Sequence, residues 1–162
     1  DNIEKKIHSI EVDFCLSDFY KFKDANNFYS NNSIPEKFNI DDYLFSNPGA
    51  ICSNVVIKKS IFNLLKGFDE KISGSADKDL FIRANLEKHK CIVLREKNMF
   101  YQIHENQWSK DNKLILNQKF VFFLKYFKYY LSVYKLYRIT KIFISFAFRA
   151  IKDIFLKDKK WI

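Results

Sequence analysis

Ala50-Ile51-Cys52-Ser53-Asn54-Val55-Val56-Ile57-Lys58-Lys59-Ser60-Ile61-Phe62-Asn63-Leu64-Leu65-Lys66-Gly67 passes from a β pattern to a helical one within eighteen residues. Asn47-Pro48-Gly49 is a turn tripeptide, so the run from Ala50 to Ile57, with Val55, Val56 and Ile57 at its end, is bounded like a buried strand. Ser60 then offers an N-cap to a short helix over Ile61 to Lys66, and Gly67 a stop. Gly67-Phe68-Asp69-Glu70 opens a loop through Gly74, after which Ser75 or Asp77 can cap a helix from about Lys78 to His89. Cys91 to Leu94 and Met99 to Ile103 read as strand segments on either side of a charged turn, Arg95-Glu96-Lys97-Asn98.

Working back toward the N-terminus, Val12 to Phe22 is aromatic-rich and roughly alternating, which suits a half-buried strand. Asp24 to Ser33 is crowded with Asn, Asp and Ser and predicts a surface loop. Asp41-Asp42 fall in another loop. Strands alternating with helices predict an α/β sandwich, with function where strands and loops end on one edge of the sheet.

The chain has 162 residues, 48% of them hydrophobic, which is enough for one compact core. With 3 Gly and 2 Pro against 18 Phe and 9 Tyr, it is neither a low-complexity linker nor a collagen-like or disordered tail. Cys15, Cys52 and Cys91 are odd in number and lack a C-x-x-C spacing, which predicts no disulfide framework or zinc ribbon and favours a reducing cytoplasm. No signal-peptide pattern is present, and the initial Asp1 suggests a fragment.

The net charge of +9 is unevenly placed. Residues 110–162 hold 13 Lys+Arg and 3 Asp+Glu, leaving 15 basic and 16 acidic residues before them. The chain therefore divides into a mixed part, 1–110, and a basic, aromatic tail, 111–162, that lacks Gly and Pro and should be helical. Lys125, Lys128, Ser132 and Lys135 form one polar stripe opposite Phe123, Phe127, Tyr130 and Tyr134; Lys141, Ser145, Arg149 and Lys152 form a second against Phe143, Phe146, Ala147, Ala150 and Ile154. The longest uncharged run in the second segment, Ile142 to Phe148, is far short of the ~20 residues that cross a bilayer. Such a tail suits an anionic membrane interface, or packing against a missing part of the protein.

Four pieces of the mixed part occur in an order that is far more specific than any one alone. Ser53-Asn54-Val55-Val56-Ile57-Lys58-Lys59-Ser60-Ile61-Phe62, Gly67-Phe68-Asp69-Glu70, Ala76-Asp77-Lys78-Asp79-Leu80-Phe81-Ile82-Arg83 and Tyr101-Gln102-Ile103-His104 resemble the C-terminal half of a family 2 glycosyltransferase domain of the nucleotide-sugar-dependent GT-A type. The third piece is similar to that family's Glu-Asp-x-Asp-Leu-x-x-Arg and the fourth to its Tyr-Arg-x-His. Val12 to Tyr20 is similar to the strand after its metal-binding Asp-x-Asp. The resemblance spans about residues 10 to 110 and implies a partial GT-A, Rossmann-like sandwich followed by basic amphipathic helices.

It also implies inverting transfer of a sugar from a nucleotide-sugar donor to a glycan or lipid-linked acceptor, as in bacterial surface polysaccharide or lipopolysaccharide synthesis. The general base maps to Asp77, where the N-H groups of a helix start and the charge of Lys78 should keep the carboxylate ionised. Taken by itself, Asp77 is also an ordinary N-cap, and the two roles can coexist. His104 maps to a position that contacts the divalent metal or the pyrophosphate, and Asn54 to the substrate side. Trp108 offers a flat face to a sugar ring or an anchor for the tail. Asp69 reads as a turn residue, and Asp79 with Arg83, four apart, as an ion pair bracing the helix against the Gly67 to Gly74 loop.

Ala76 replaces the family's usual acidic residue. The nucleotide-binding unit and the Asp-x-Asp are missing, so Mg or Mn would be held mostly by residues outside this chain, and the fragment alone should be inactive. The implied location is cytoplasmic, with the tail able to rest on the inner face of the membrane. Two rival readings are a non-catalytic remnant that binds glycans or partner chains, and a nucleic-acid-binding module. The second leaves the Asp77 region unexplained, and no nucleic-acid partner is expected.

Overall fold

The computed structural model describes residues 11–24, 28–30, 34–104 and 111–158. They form two compact units, one drawn from residues 11–70 and 76–104, the other from 71–75 and 111–158.

The first unit is mixed α/β. Its central strand, β1 (Phe14–Phe22), runs parallel to β4 (Cys91–Gln102) along one edge. Along the other edge, β3 (Val55–Ile57) pairs antiparallel with residues 14–16, and β2 (Phe28–Ser30) with residues 20–22. A central strand is covered on both faces, so residues 14–19 are continuously buried in place of the expected alternation. Phe14 packs on Phe81 with ring centroids 5.2 Å apart, within a cluster that includes Phe38 and Tyr43. On the opposite side Cys15 joins Val12, Leu94 and Ile92. Burial pushes the Cys15 thiol up to about 11, so it is an inert core group.

Several elements depart from the expected pattern. Residues 28–30 are a strand where a loop was expected, because β1 offers them an open edge. Residues 40–45 form a helix, α1 (Ile40–Phe45), whose N-cap Asn39 accepts the Asp41 N-H at 3.1 Å; Asp41 and Asp42 occupy its first turn. Within the expected strand from Ala50, a 3₁₀ turn (Cys52–Asn54) intervenes and only Val55–Ile57 is extended. The next helix, α2 (Lys59–Leu64), starts a residue before Ser60, and no side chain caps it. It ends at Leu64 rather than Lys66, and Lys66, at φ +61°, takes the left-handed closing position expected of Gly67, its N-H donating to Asn63 O and the Gly67 N-H to Phe62 O; Gly67, at φ +65°, follows one residue later.

Arg95 to Asn98 do not separate two strands. They are an insertion within β4, where Ser17 faces Leu94 and Phe19 already faces Met99. Arg95 at this irregularity donates to Ile34 O at 2.8 Å and pairs with Glu36 at 3.0 Å and with buried Asp18 at 3.4 Å. Asp18 in turn accepts the Ile34 N-H.

After a 3₁₀ segment (Glu70–Ser75), α3 (Ala76–Leu86) buries Leu80, Phe81, Ile82 and Ala84 in the first unit. The second unit contains α4 (Asn112–Lys125), a 3₁₀ turn (Phe127–Tyr130) and α5 (Val133–Asp158). Asp111 caps α4 by accepting the Leu114 N-H at 3.0 Å. Rings pack α4 on the 3₁₀ turn and on α5, with Phe123 5.0 Å from Tyr130 of the turn and 5.9 Å from Phe143 of α5. The break at 126–132 interrupts the first expected stripe, so Lys125 and Lys135 lie on different helices. Among the described residues no helix is long and apolar enough to cross a membrane.

Candidate functional site

The site is built where the 46–54 loop meets the start of α3. Two asparagines fix the loop. Asn47 accepts the Ala50 N-H at 2.8 Å and donates to Ala50 O at 2.6 Å, which closes the turn around Gly49. Gly49 has φ at +141°, and a β-carbon there would lie 2.7 Å from Ile34 Cγ1, so the turn needs glycine. Asn54 is buried, donates to Ser17 O and Gly49 O at 2.7 Å each, and accepts the Ile51 N-H at 3.0 Å. Its amide, expected on the substrate side, is engaged by backbone on three sides, so it acts as a post tying the loop to β1.

This post presents Cys52 on the surface, with Sγ 4.0 Å from Asp77 Oδ2. The other Asp77 oxygen accepts the Lys78 N-H at 2.7 Å, and the Lys78 ammonium, itself buried, reaches back to Ser46 O at 3.5 Å. Asp77 is thus half-buried under the loop.

Its ionisation runs against the expected direction. The Lys78 N-H, the Lys78 charge and the Cys52 N-H all lower the carboxyl, but desolvation outweighs them and raises it above the ordinary 3.8. Cys52 is raised too, first by burial and then by the Asp77 charge. A carboxylate lifted in this way is a better proton acceptor than a free aspartate.

The remaining residues take separate places. Asp79 is fully buried and accepts from Arg83 Nε at 2.8 Å, while the Arg83 guanidinium also donates to Gly67 O at 2.7 Å and to Leu65 O. This pair ties α3 to the end of α2. Asp69 lies between Gly67 and the 3₁₀ segment, half-buried. His104 is exposed just beyond β4, whose pairing ends with Ile103 N-H donating to Phe22 O at 2.7 Å. Trp108 lies outside the described residues.

Among the described residues no group of three or more His, Cys, Asp or Glu side chains converges on a point, so they do not build the cage that a divalent ion needs. The resemblance of residues 76–83 pointed to Asp77, which by its position alone was an ordinary cap. That resemblance carried no trace of Cys52, which reaches Asp77 from a loop 25 residues earlier. No family model, no curated protein and no solved structure matches the chain.

Proposed function

We propose that the chain is the acceptor-side part of an inverting glycosyltransferase of the family 2, GT-A type, with Asp77 as general base. The observation that carries this reading is the Asp77 carboxylate, lifted by burial, with one oxygen held by a backbone N-H and the other beside the exposed Cys52 loop. The ordered sequence pieces on both sides of it support the same reading. As the acceptor oxygen attacks the anomeric carbon, its proton passes to Asp77, the bond to the nucleoside diphosphate breaks, and Asp77 later returns the proton to water. Asn54 shapes the loop, and Asp79 with Arg83 fixes the angle of α3.

The test is transfer from a panel of nucleotide sugars by the intact protein and its Asp77→Asn variant, with donor binding measured alongside. The substitution keeps volume and removes the proton acceptor, so turnover should fall at least ~100-fold while donor affinity is retained. Near-normal turnover in the variant would place the base elsewhere. Donor binding without transfer by the unsubstituted protein would favour a non-catalytic remnant.

A further inference from the structure

One apolar face of α5 is spent on packing. Ile139 is buried, and Phe143, Phe146, Ala147 and Ala150 are half-buried on the side that meets α4. The helix carries a second apolar face. At ~3.6 residues per turn, Val133, Tyr137, Ile144, Phe148 and Ile151 fall within about 60° of one another, and all are exposed, Phe148 by 70%. Arg138, Lys141, Arg149 and Lys152 occupy roughly the next 80° and are exposed as well. The only acid among the described side chains of α5, Asp153, faces the other way and accepts from Asn112 of α4 at 2.8 Å.

We infer that this second face binds the surface of an anionic phospholipid membrane, with α5 lying in the plane of the interface. Ile144, Phe148 and Ile151 would enter the acyl boundary, while the four cations meet lipid phosphates beside them. Charge complementarity decides the occupant. A second copy of the helix could cover the apolar stripe, but packed antiparallel it would set the two rows of cations along the same edge, and packed parallel it would leave both rows without a counter-charge. A nucleic acid would satisfy the cations and leave the stripe in water. The surface is independent of the transferase reading, because none of its residues belongs to the Asp77 site.

The experiment is flotation of the intact chain with vesicles of phosphatidylcholine, alone or with phosphatidylglycerol, accompanied by thermal melts. The chain should float only with the anionic vesicles, and added salt should weaken the binding without abolishing it. Replacing Arg138, Lys141, Arg149 and Lys152 together with Gln should weaken it roughly 100-fold or more. Ile144→Ser with Phe148→Ser should weaken it roughly 10-fold or more. Both variants should melt like the parent, since every altered side chain is exposed. If the serine variant melts early, the glutamine variant decides. Equal flotation on neutral vesicles, no flotation at all, or parental flotation by the glutamine variant overturns the inference. Binding of single-stranded RNA without flotation would assign the cations to nucleic acid, and a dimer that dissociates in the serine variant without flotation would assign the stripe to self-association.

Discussion

The Asp77 carboxylate is set by opposing influences, and burial is the larger. An acid whose folded pKa is raised binds its proton more tightly when native. Stability therefore falls as pH rises from the ordinary value of 3.8 through the raised one, and the deficit persists at neutral pH. Asp77→Asn should accordingly raise the melting temperature at neutral pH, and the gain should vanish below about pH 3.8. Melts across that range check it, and a gain that does not depend on pH would mean that burial does not strain this carboxylate. Asp13 has the opposite sign. The Lys90 N-H and the Lys58 ammonium, 3.1 and 3.0 Å away, lower it, so its contribution is present above 3.8 and is lost as pH falls through the lowered value. The sequence placed Asp77 at the start of a helix and could say no more about its proton. Helix N-H groups and Lys78 are local and legible, whereas desolvation comes from a loop that folds over from residues 46 to 54.

Between α2 and α3 the decisive feature is a buried ion pair. Arg83 satisfies Asp79 and two carbonyls at the end of α2, so removing it leaves a fully buried carboxylate and the α2 terminus without these donors. Arg83→Met should cost about 3 kcal/mol or more, and adding Asp79→Leu should recover much of that loss. Urea unfolding of both variants checks this, and equal stability of single and double variants would show that Asp79 is not strained by losing Arg83. This pair was legible because four-residue spacing on a helix is a local rule. The interior of β4 was not. Charged residues 95–98 have the composition of a turn, and only the position of Asp18 on β1 and of Glu36 shows that Arg95 has partners across the sheet. The break between α4 and α5 was hidden for a related reason, since rings such as Phe123 and Tyr130 satisfy a helical period and a packed 3₁₀ turn equally well.

At the scale of the molecule, the chain crosses between its two units more than once. Residues 71–75 cluster with the helical unit, although they lie in sequence between α2 and α3 of the other. Within the helical unit the Gly74 N-H donates to Gln118 Oε1 of α4 at 3.3 Å. Two residues after Gly74 the chain enters α3, and the next residue is Asp77. The start of the candidate catalytic helix is therefore covalently continuous with a segment anchored by the tail, an arrangement that reading the tail as a separate appendage does not reveal. Gln118→Ala removes a single exposed hydrogen bond and should leave global stability within about 1 kcal/mol. Exchange of the Gly74 amide should nonetheless quicken by roughly 2- to 10-fold, the worth of one such bond, because local opening no longer has to break it. Unaltered exchange at Gly74 would show that Gln118 does not hold the segment.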